Sequence, residues 1–99
     1  MARVVKRSEI ESEVGYLEEL AKQIGIMPET DQLVYQPGNR SYATRAEIYV
    51  ITGPNGQRVQ QSWLPEFHYT DTASTRYRII QTVIRALTQV ERVQRKDNR

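Results

Sequence analysis

Apolar residues recur with three distinct periods along this chain, and the periods predict its elements. From Ile10 onward, Ile10, Val14, Leu17, Ala21 and Ile24 fall within about 80° of arc on a helical wheel, which predicts an amphipathic helix. Ser8 and Glu11 ahead of it form a capping-box pattern, Gly25 is a natural C-terminal stop, and Pro28 forbids continuation. Glu11, Glu18 and Glu19 are expected on the outer face of this helix, with Glu18 and Lys22 four residues apart.

The period then shortens to two. Gln32 to Gln36 reads as a short strand ended by Pro37-Gly38-Asn39. Ser41 to Thr52 alternates, with Tyr42, Ala46, Ile48 and Val50 on one face and Arg45, Glu47, Tyr49 and Ile51 on the other. Gly53-Pro54-Asn55-Gly56 is hairpin chemistry, and Gln57 to Trp63 would pair back. Closure on Pro54-Asn55 sets Val50 opposite Val59 and Ala46 opposite Trp63. After a loop broken by Pro65, the helical period returns from Thr75 to about Gln94, with Asp71 or Thr72 as its cap. Tyr77, Ile80, Val83, Ile84, Leu87 and Val90 mark its core side.

These elements define a small two-layer α+β domain in the order α-β-β-β-α. An antiparallel three-stranded meander carries both helices on one face. The 99 residues have room for one domain, residues 1–99, with a basic arm at 1–7 and a frayed basic tail at 95–99. In the arm, Val4 and Val5 are placed to add an edge strand or dock on the fold.

Composition narrows the chemistry. No apolar run approaches the roughly 20 residues of a membrane span, and an acidic helix follows the basic arm where a signal peptide would have its apolar region. Cysteine is absent, which removes disulfides and thiolate chemistry and fits a cytoplasmic location. Net charge is only +2, but it is divided: residues 1 to 31 hold 4 basic and 7 acidic side chains, residues 32 to 99 hold 10 and 5. Such a dipolar chain steers one end toward an anionic partner.

Three places deserve weighing. On the last helix Arg78, Arg85, Arg92 and Lys96 form a row about 27 Å long, with Thr82 and Gln89 beside it. An arginine row suits a phosphate backbone, while a solvated outer face is what most charged helix faces are. On the outward sheet face stand Arg45, Tyr49, Ile51, Arg58 and Gln60, a mixture that suits a protein partner or self-association. The loop Glu66-Phe67-His68-Tyr69-Thr70-Asp71 holds the only histidine, and a surface histidine beside a helix cap accounts for it. No metal site, cofactor, small-molecule substrate or catalytic residue is expected. Gly53-Pro54-Asn55-Gly56 lacks the lysine and strand-to-helix setting of a phosphate loop.

The element order resembles the double-stranded RNA-binding domain. That family opens its second helix with lysines and small residues and carries a Gly-Pro-x-His loop between its first two strands. Here the helix opens Ser74-Thr75-Arg76-Tyr77-Arg78, the corresponding turn is Gln36-Pro37-Gly38-Asn39, and Gly53-Pro54 lies one hairpin later, so no family is claimed. The expectation is a non-catalytic binding module, a regulatory or inhibitory protein that docks on another protein or self-associates. The alternative is nucleic-acid binding through Arg78, Arg85, Arg92 and Lys96, helped by Arg3, Lys6 and Arg7.

Overall fold

The helical stripe at the start of the chain becomes α1, Arg7–Gln23, with Ile10, Val14, Leu17 and Ala21 buried along it and Ile24 buried at its C-cap. The computed structural model describes residues 4–39, 42 and 44–97. The expected capping box does not form. Lys6 is the N-cap and makes no side-chain cap bond; Ser8 lies inside the first turn, and Glu11 pairs instead with Arg7 at 2.7 Å. Val5 packs half-buried against the core, which anchors the approach and draws the helix start back by two residues. Val4 stays exposed and neither valine joins the sheet, while Arg3 lies outside the described residues. At the other end Gly25 takes φ 85°, a left-handed conformation that suits glycine. Its N–H bonds the Lys22 carbonyl and that of Ile26 bonds the Ala21 carbonyl, which satisfies two of the free carbonyls of the last turn.

Three antiparallel strands follow in the order β1-β2-β3: β1 Gln32–Gln36, β2 Glu47–Thr52 and β3 Gln57–Val59. Leu33 pairs with Val50, Tyr35 with Ile48, and Val50 with Val59, the last as the turn at Pro54-Asn55 requires. Leu33, Tyr35, Ile48 and Val50 are buried; Val34, Tyr49 and Ile51 alternate onto the other face.

Two strand expectations are corrected. β2 begins at Glu47, because an Asn39–Thr44 bridge closes the hairpin tip beyond Pro37-Gly38-Asn39. Tyr42 therefore sits on this tip, 78% exposed, instead of on the core face. Gly38 is held by close backbone packing, since a Cβ there would lie 2.4 Å from the Thr44 carbonyl oxygen. β3 stops at Val59, because a turn closed by Leu64 N–H on the Gln61 carbonyl peels the chain off the sheet. Trp63 therefore never pairs with Ala46; it packs half-buried against the core from the loop. Its indole N–H is buried without a partner among the described residues.

The second helix, α2, runs Ala73–Asp97. Thr72 caps it, its Oγ accepting the Thr75 N–H at 3.2 Å, while Asp71 accepts the His68 N–H at 2.7 Å. Residues 95 to 97, expected to fray, continue the helix; 98 and 99 lie outside the described residues. α1 and α2 run in the same sense: Tyr77 Oη donates to Glu13 near their starts, and the Gln94 amide donates to the Ile24 carbonyl near their ends. Ile80 and Ile84 join the α1 stripe and the inner sheet face in one core, in a molecule only 21 Å thick.

Candidate binding surfaces

The open face of the sheet gathers most of the residues that alternation assigns to it. The Arg58 guanidinium lies 4.0 Å above the Tyr49 ring and pairs with Glu47. The stack follows from register: Arg58 stands opposite Ile51, so its long side chain crosses β2 diagonally to reach the two preceding outward positions. Tyr49 and Ile51 are half-buried, and Val34 lies opposite Tyr49 on the same face. Arg45 and Gln60 are exposed where β2 begins and β3 ends. A shallow cleft of about 460 Å³ joins Arg45, Glu47 and Arg58 to Pro37, Thr44 and Tyr69. Tyr69, 57% exposed, reaches this surface from the loop before α2. Its local pattern carries no sign of that; only the fold brings the loop alongside the β1–β2 hairpin.

The basic row has a different character. Arg78, Arg85, Arg92 and Lys96 are all exposed on one unbroken helix, and none of them pairs with a carboxylate among the described residues. Arg95, off the row, pairs with Glu91. Of the N-terminal cations, Arg7 is held by Glu11, Lys6 is exposed, and Arg3 lies outside the described residues. Arg76 belongs to the framework: its Nε donates to the Tyr35 hydroxyl at 2.9 Å, and its Nη1 to the Asp71 carbonyl.

The histidine loop is locally explained. Phe67 is buried and anchors it, while His68 is exposed, with Nδ1 2.7 Å from Thr70 Oγ and its ring against Tyr69. No group of three metal-ligating side chains forms among the described residues, and no helix there is long and apolar enough to cross a membrane. Compared with protein-family models, curated proteins and solved structures, the chain matches none of them, so its own residues carry the functional reading.

Proposed function

We propose that this chain is a non-catalytic binding module of the cytoplasm, a regulatory or inhibitory protein that docks on another protein through the open face of its sheet. The observation that carries the reading is the Arg58–Tyr49–Glu47 stack beside Ile51 and Val34. An arginine already held over an aromatic ring loses little conformational freedom on binding, and Tyr with Arg supplies much of the energy in protein interfaces. Arg45 and Gln60 stand at the polar rim of this patch. The test compares partners retained from native extract by the wild-type protein, Ile51→Asp and Tyr49→Ala. Both variants keep the wild-type circular dichroism, and a partner of this face binds each at least about tenfold more weakly, equivalent to about 1.4 kcal/mol. Equal retention by all three removes the sheet face.

A second reading rests on the exposed row Arg78, Arg85, Arg92 and Lys96, which pairs with no carboxylate among the described residues. It makes the chain a binder of nucleic-acid backbones. Affinity for mixed DNA or RNA fragments then falls steeply with salt, and each arginine replaced by alanine lowers the slope of log K against log salt by about one. A salt-independent complex, or no mobility shift at low salt, overturns it.

A further inference from the structure

Arg76 carries a charge that the framework does not neutralise. Its Nε donates to the Tyr35 hydroxyl and its Nη1 to the Asp71 carbonyl, both uncharged oxygens. Its Nη2 donates to nothing among the described residues, and no carboxylate among them forms an ion pair with the guanidinium. The acid closest to it in sequence, Asp71, turns its carboxylate to the loop, where Oδ2 accepts the His68 N–H at 2.7 Å. A half-buried cation with neutral partners alone has given up hydration without gaining a counter-ion, which is costly unless another group supplies one.

Arg76 borders a cavity of about 190 Å³ between the β1–β2 hairpin and the start of α2. Gly38, Thr44 and Ala46 line it from the hairpin, Tyr69 and Thr72 from the loop. Sites for cofactors and drug-sized ligands measure roughly 300–1,000 Å³, so this space suits a single side chain. It adjoins the cleft at the rim of the sheet face, with Thr44 and Tyr69 common to both linings. Across the two, Arg45, Arg58 and Arg76 stand against Glu47 and Asp71, which leaves one positive charge to be balanced.

We propose that the cavity receives the carboxylate of an Asp or Glu side chain from the protein that docks on the sheet face, with Arg76 as its counter-ion. The proposal rests on docking at that face for the source of the acid. The carboxylate accepts from Nη2, the donor the framework leaves unused, so the bonds to Tyr35 and Asp71 persist in the complex. Tyr69, exposed on both linings, offers its ring to the methylenes of the incoming side chain. One carboxylate matches the single surplus charge. A phosphate dianion exceeds it and would lie beside the Asp71 carboxylate.

Amide NMR titration of the full chain with sodium propionate, the end of a glutamate side chain, tests the cavity. Propionate shifts the resonances of residues 69–76 along a saturable curve; propionamide, similar in shape but uncharged, and sodium chloride at equal ionic strength do not. Thr72→Asp, which keeps a cap on α2 and sets a competing carboxylate at the cavity, weakens propionate binding about tenfold or more with unchanged circular dichroism. Arg76→Gln does the same, but because that change also touches the framework, Thr72→Asp decides. Short end-blocked peptide pools with Glu, Asp, Gln or phosphoserine fixed at a central position then test the source. The Glu and Asp pools bind, and propionate displaces them; the Gln pool does not bind. Ile51→Asp, outside both linings, weakens these pools but leaves propionate affinity unchanged, which separates failure of the sheet face from failure of the cavity. Shifts that grow linearly with propionate, or that Thr72→Asp leaves unchanged, overturn the cavity as a carboxylate site. Propionate binding without a preference for the Glu and Asp pools, or with a preference for phosphoserine, overturns the partner's acidic side chain as its occupant.

Discussion

Glu18 shows how much one side chain contributes when it joins two elements. Its Oε1 accepts the Leu33 N–H at 2.6 Å, on the side of β1 that has no neighbouring strand, and its Oε2 pairs with Lys22 at 3.4 Å. The helical wheel sets it with Glu11 and Glu19 on the outer face, because a wheel gives direction from the helix axis and says nothing of what approaches from there. β1 does approach, and Glu18 becomes half-buried. Glu18→Ala leaves a strand N–H without its charged acceptor and is expected to lower stability by about 2 kcal/mol in urea unfolding. Glu19→Ala, exposed one residue on, is expected to change it by less than about 0.5 kcal/mol.

At the scale of elements, caps and turns decide where each period stops. Gly25 ends α1 by the left-handed geometry its position suggests, and Gly53 and Gly56 frame a turn closed by Gly56 N–H on the Gly53 carbonyl. Ser8 has the chemistry of a cap yet is overruled, since Val5 docks first and the helix starts at Arg7. Thr72 is a true cap. Thr72→Ala is expected to destabilise the fold by about 1 kcal/mol, and Thr72→Asp to keep the wild-type melting temperature or raise it, because a carboxylate there also suits the acid-free first turn.

For the whole molecule, stability is concentrated where α1, α2 and the sheet meet. Ile80 is fully buried there and Arg85 fully outside, five residues apart on one helix. Ile80→Ala opens a cavity and is expected to cost about 2–5 kcal/mol, while Arg85→Ala is expected to stay within about 0.5 kcal/mol. Urea titration of the two separates core from surface on α2. Val90 marks the limit of that core: its period belongs to the buried side of the wheel, but α1 ends at Gln23, and beyond that level the Gln94 amide turns back to the Ile24 carbonyl.

Local interactions explain what could be read from the chain alone. Period, glycine and proline act over a few residues, so the two helices, β1, the Pro54-Asn55 hairpin with Val50 against Val59, and the α-β-β-β-α order were legible in advance. The outward set Arg45, Tyr49, Ile51 and Arg58 was legible too, because alternation needs no knowledge of neighbours. The early end of β3, the exposure of Tyr42 and Val90, the Arg58–Tyr49 stack, the arrival of Tyr69 and the work of Glu18 were not. Each depends on which distant segment comes to lie beside a residue, and that is settled only when the layers pack.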